Sequence, residues 1–61
     1  MFGKFENDLF IVTHKAKFDR IETVGKYDNF KDAEKMALND ANNDYIENVY
    51  ITRNMVTRTI K

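Results

Sequence analysis

Proline, cysteine, serine, glutamine and tryptophan are absent from this 61-residue chain, and glycine occurs only twice and histidine once. Each absence removes a chemistry or a structural device. Without cysteine there is neither a disulfide nor a thiolate metal site. A chain this short buries only about 60% of the surface its unfolded form exposes, so it has no covalent staple to offset a small core. Without serine or cysteine the usual activated nucleophiles are missing, and Thr13, Thr23, Thr52, Thr57 and Thr59 all fall inside predicted strands. A single histidine cannot supply the ligand set of a zinc site. His14 has Val12 and Phe10 as its two-residue neighbours, which reads as a packed or half-exposed structural side chain rather than a general base. Two glycines, Gly3 and Gly25, cannot build a phosphate-cradling loop. Asp40, Asp44 and Glu47 lack the glycine-centred spacing of a calcium loop and read as solvated charge. Paired carboxylates could be drawn from the acidic residues, but so small a fold has little room for a cleft that would shift their pKa values. The expectation is a protein that is not an enzyme and uses no cofactor and no metal.

Long apolar runs are missing as well. Nothing approaches the roughly 18 apolar residues of a membrane span, and the opening MFGKFENDLF has no apolar stretch of signal-peptide length. A soluble, cytoplasmic protein with no membrane association is expected. The absence of cysteine is compatible with a reducing compartment without establishing one. There is no linker and no low-complexity run, so residues 1–61 are read as one domain. The surplus of asparagine, lysine, aspartate and isoleucine suggests an AT-rich genome such as that of a phage.

Charge of either sign is balanced overall but not locally. The formal net charge is zero, while residues 1–27 sum to +1, residues 28–47 to −4 and residues 48–61 to +3. Zero net charge argues against a strongly electrostatic nucleic-acid binder and against an acidic DNA mimic.

What is present is a change of hydrophobic period. A strand is predicted from Leu9 to about Lys17, with Leu9, Ile11 and Thr13 on one face and Phe10, Val12 and His14 on the other. Both faces are apolar at its start, as expected if an N-terminal arm carrying Phe2 and Phe5 covers the outer side. A turn over Ala16 to Asp19 leads to a second strand, Arg20 to Tyr27, with Gly25 as the natural position for a bulge that re-aims Tyr27. Residues 29–43 then repeat at helical period. Asn29 is the N-cap and Asp32 its partner in the first turn. Phe30, Ala33, Ala37 and Ala41 form the inward stripe, flanked by Met36 and Leu38, with Lys31, Asp32, Lys35, Asn39 and Asp40 placed opposite. Glu34 is expected to cover the sheet edge with its stem and keep its carboxylate in water. Strand period resumes through Ile46, Val49 and Ile51, breaks at Arg53-Asn54, and resumes over Met55 to Ile60. The last stretch reads either as a fourth strand in a hairpin or as the end of one long bulged strand. The fold class is α+β: a ββαβ(β) antiparallel sheet with one helix packed on one face.

With catalysis disfavoured, binding is the default, in two classes. A sheet carrying Tyr50, Tyr27, Lys15, Lys26, Arg53 and Arg58 could act as a nucleic-acid platform, although no RNP-type aromatic motif is present. An open sheet face or edge with polarised charge suits a small module that docks on a larger protein, and the zero net charge favours this second class. A self-associating dimer is a third option for a small domain without disulfides.

The succession LFIVT (9–13), KYDNF (26–30), KDAEKMALNDA (31–41) and VYITR (49–53) resembles the short phage-encoded inhibitors of bacterial RNA polymerase. Its order of elements is also similar to that of small type I anti-CRISPR proteins. The chain departs from the inhibitors in lacking a proline after the last strand and in carrying the extra tail MVTRTIK. The resemblance implies a small non-enzymatic phage-type protein that binds a host protein, either RNA polymerase or a defence complex, and inhibits it by surface occlusion. It also implies that Arg53 engages an acidic partner surface. Arg58 and Tyr50 complete the expected anchors, since arginine and tyrosine dominate interface energetics. The alternative is a nucleic-acid-binding module using the open sheet face.

Overall fold

Alternation of inward and outward residues along each strand, interrupted at two defined positions, explains how this chain closes around its core. The computed structural model describes residues 8–61. Strand β1 spans Phe10–Ala16, β2 Arg20–Tyr27, helix α1 Phe30–Ala41, β3 Ile46–Arg53 and β4 Val56–Thr59. A 3-10 turn, Lys17–Asp19, joins β1 to β2. The strands form one sheet in the order β2-β1-β3-β4, antiparallel throughout. The α+β architecture with one helix on an antiparallel sheet is therefore present, and the tail forms a fourth strand. The arm proposed to carry Phe2 and Phe5 lies outside the described residues.

On β1, Val12 and Ala16 are buried on the same face as Phe10 and His14, while Ile11, Thr13 and Lys15 face the other way. The pairing of β1 with β2 steps from Val12↔Gly25 to Thr13↔Thr23, which leaves Val24 without a partner. The bulge expected near Gly25 is thus present. It reverses the alternation of β2, so that Glu22 and Tyr27, at odds in parity, both face the helix. The Tyr27 ring lies directly over Gly25, where an added Cβ would come within 2.6 Å of the tyrosine hydroxyl oxygen. Between β1 and β3 a second irregularity steps from Lys15↔Asn48 to Ala16↔Ile46 and leaves Glu47 out of register. That extra residue is why Ile46, Val49 and Ile51 are all buried despite their uneven spacing.

Helix α1 starts where its cap dictates. Asn29 is extended, its Oδ1 accepts from the Asp32 N–H at 2.9 Å, and its Nδ2 donates to Asp32 Oδ2 at 3.0 Å. Ala33 and Ala37 are fully buried against the sheet, and Phe30 and Ala41 pack at the two ends of the stripe. Leu38 is 53% exposed and so belongs to the solvent side. Asp40 corrects the expected solvent face: at 100° per residue it lies about 60° from the centre of the alanine stripe, and its side chain is only 15% exposed. The core is made of Val12, Ala16, Ala33, Ala37, Ile46, Val49 and Ile51. No buried side-chain polar atom among the described residues lacks a partner. No helix among them is long and apolar enough to cross a membrane.

Candidate functional site: a groove of arginines and phenyl rings

The β3–β4 hairpin turns through two residues, Asn54 and Met55, with φ of 50° and 68°. Positive φ at both central positions is the type I′ geometry whose twist matches that of paired strands. The turn fixes the register Arg53↔Val56 and Ile51↔Arg58. Because Ile51 is buried toward the helix, Arg53, Val56 and Arg58 share its face. Helix α1 packs on β1, β2 and β3. Strand β4 has no buried residue. The sheet therefore extends one strand past its helical cover, and the uncovered strip carries Arg58, with Arg53 beside it at the end of β3.

Those arginines are held by aromatic faces. The Arg53 guanidinium carbon sits 4.9 Å from the centroid of Phe10, and that of Arg58 sits 5.1 Å from the centroid of Phe30. The two rings meet edge to face, with centroids 5.7 Å apart and planes at 70°. Arg53 Nε also donates to the carbonyl of Asp8 at 3.4 Å. Each cation–ring contact contributes about 0.5–1 kcal/mol at such exposed positions, enough to bias the long side chains toward one orientation. Between them lies a groove of about 350 Å³ lined by Phe10, Phe30, Ile51, Arg53, Asn54, Val56 and Arg58. Val56 in its wall is 73% exposed. Ion pairs join His14 to Glu22 and Asp40, and Lys15 to Asp19. Neither arginine has a carboxylate partner among the described residues. An apolar floor rimmed by two guanidinium groups can accept a carboxylate together with an adjoining apolar group.

The structure brings Arg53 and Arg58 together and separates Tyr50 from them. Tyr50 pairs across Thr13 and Thr59 on the opposite face, beside Lys15. A hydrogen bond to Asp19, reinforced by the charges of Asp19 and Glu47, holds the Lys15 amine above its ordinary pKa. That face also carries Thr52 and Thr57, whose hydroxyls are 3.0 Å apart. The platform envisaged for nucleic acid is divided: Tyr27, Arg53 and Arg58 face the helix side, whereas Tyr50, Lys15 and Lys26 face the other.

His14 is packed, 13% exposed, with Nδ1 2.7 Å from Asp40 Oδ2 and Nε2 3.1 Å from Glu22 Oε1. Among the described residues no group of three His, Cys, Asp or Glu side chains is placed to hold a metal ion. Sequence reasoning missed the role of Phe10 and Phe30 as seats for the arginines. The signal was the Asn54 break, since a two-residue turn there places Arg58 opposite Ile51. It also missed Phe18 and Met55, which hold left-handed backbone at φ of 67° and 68° while 90% and 93% exposed. Comparisons with family models, with curated proteins and with solved structures gave no match.

Proposed function

We propose that this protein is a non-enzymatic docking module that binds a larger protein through the arginine–phenyl groove and occludes an acidic functional surface there. One observation carries the reading. Two guanidinium groups are oriented on phenyl rings at the rim of an apolar groove, and neither is neutralised by a carboxylate among the described residues. Arginine over an aromatic floor is the composition of an interface anchor, where truncation typically costs about 2 kcal/mol or more of binding. The resemblance to phage-encoded inhibitors supports a host protein as the target, with bacterial RNA polymerase and defence complexes as the partners to test.

The test is equilibrium binding to purified bacterial RNA polymerase holoenzyme and to purified type I interference complexes, with Arg53→Glu and Arg58→Glu as variants. Each substitution is expected to weaken binding at least about tenfold. The folding midpoint should shift little, because the lost cation–ring contact is worth about 0.5–1 kcal/mol. Unchanged affinity in both variants would remove the groove from the proposal. Titration with single-stranded RNA and DNA at two salt concentrations separates the other reading: a steep salt slope would favour nucleic acid.

A further inference from the structure

The outer wall of the groove is β4, an edge strand whose four residues, Val56 to Thr59, are all exposed. In a two-residue hairpin the residues flanking the loop exchange both backbone hydrogen bonds, and bonded pairs recur at every second position. Arg53/Val56 and Ile51/Arg58 are then the bonded pairs. The Ile60 N–H, 2.8 Å from the Val49 carbonyl, continues the same series. It follows that Thr57 and Thr59 direct their N–H and C=O groups away from β3, along the open edge. These two sets of backbone groups, about 6.8 Å apart, lie beside the arginine rim.

We infer that this edge receives an extended acidic segment of the partner protein by strand addition, with an Asp or Glu side chain on the groove side and an apolar side chain two residues from it. The inference rests on the docking function proposed above and specifies its mode. An added strand runs about 4.8 Å from β4, and its groove-side residues recur every second position. One such residue stands beside Arg58, where a carboxylate completes the charge pairing that the described residues do not supply. The next stands beside Val56, at the apolar wall facing Phe10 and Phe30. Charge also discriminates against a second copy of this chain. Symmetric β4–β4 pairing would set the Arg58 side chains of the two copies directly opposite or diagonally adjacent, and like charges at those positions are destabilising.

A random twelve-residue peptide library panned on the full chain, with no counter-selection, tests this. Enriched peptides should carry Asp or Glu with an apolar residue at a spacing of two, and should bind the Arg58→Glu chain at least tenfold more weakly in fluorescence polarisation. Their largest amide shifts in ¹⁵N NMR should fall at Thr57 and Thr59. N-methylation of the peptide at one alternating set of positions should abolish binding, while methylation of the other set should leave it. The inference is overturned by any of four results: no enrichment, motifs without acidic residues, equal binding to the Arg58→Glu chain, or shifts centred on Tyr50. The Arg58→Gln chain, with its folding checked by circular dichroism, guards against charge-reversal artefacts. Loss of host-protein binding in the arginine variants alongside failed panning would sink strand addition and leave the docking function standing. Specific peptides with no host-protein binding would do the reverse.

Discussion

Two side chains show how much a single position decides. His14 faces carboxylates at both ring nitrogens, Asp40 from α1 and Glu22 from β2, with apolar Val49 opposite it on β3. Both nitrogens can donate only in the imidazolium form. Burial by itself lowers the pKa, but the hydrogen bonds and charges of Glu22 and Asp40 outweigh it and hold the group above 6.5. A folded-state pKa raised above the unfolded value adds stability that is fully present below about pH 6.5 and is lost as pH rises through the folded value. The thermal midpoint is therefore expected to fall across that window, and His14→Gln should flatten the dependence and cost about 1–3 kcal/mol at pH 6. Equal slopes in calorimetric scans of the two chains would show that the clamp does not act. Met55 pays for the hairpin in the opposite sense, since its φ of 68° is left-handed. Met55→Gly creates the Asn-Gly turn favoured in type I′ hairpins and should stabilise by up to about 1 kcal/mol in urea denaturation. The apolar neighbours of His14 left a packed and a half-exposed side chain both open, and the structure shows the packed one, 13% exposed. Its partners were not legible, because Asp40 is 26 residues away and the face of Glu22 depends on a bulge.

Elements in this chain were legible wherever the signal was local. The second strand matches Arg20–Tyr27, and the helix begins one residue after the Asn29 cap. That cap yields a direct prediction: Asn29→Ala removes the bond to the Asp32 N–H and should cost about 1 kcal/mol, measurable as a lower urea midpoint with unchanged slope. A loss confined to helix content, with the sheet intact, would instead show that α1 melts on its own. The helix C-terminus was overestimated by two residues, because Asn42 keeps αR backbone while closing onto Asn39 and Asp40. The tail was ambiguous in sequence between a hairpin and a bulged strand. The hairpin forms because Asn54 and Met55 both take left-handed backbone, a choice that lets Ile60 pack against the core.

At the scale of the whole molecule, seven small or branched side chains carry the fold. At roughly 0.05–0.15 kcal/mol per residue a domain of this length is stable by about 3–9 kcal/mol. Ile51 is central to that core, 3% exposed and lining the groove floor. Ile51→Ala should cost about 2–5 kcal/mol and leave a large unfolded fraction at 37 °C, seen as lost near-ultraviolet ellipticity and collapsed NMR dispersion. Arg53→Glu, by contrast, should reduce partner binding with little change in that signal, so the pair separates folding from docking. Sequence alone determined the order of elements, the alanine stripe, the cap and the poverty of catalytic groups, since each is written in short-range spacing. Only tertiary structure decided which strand the helix leaves uncovered, that Arg53 and Arg58 converge on Phe10 and Phe30, and that Glu22 and Asp40 both reach His14. Those outcomes depend on sheet order and, for Glu22, on the bulge at Val24, where a single unpaired residue reverses which way the side chains of a strand point.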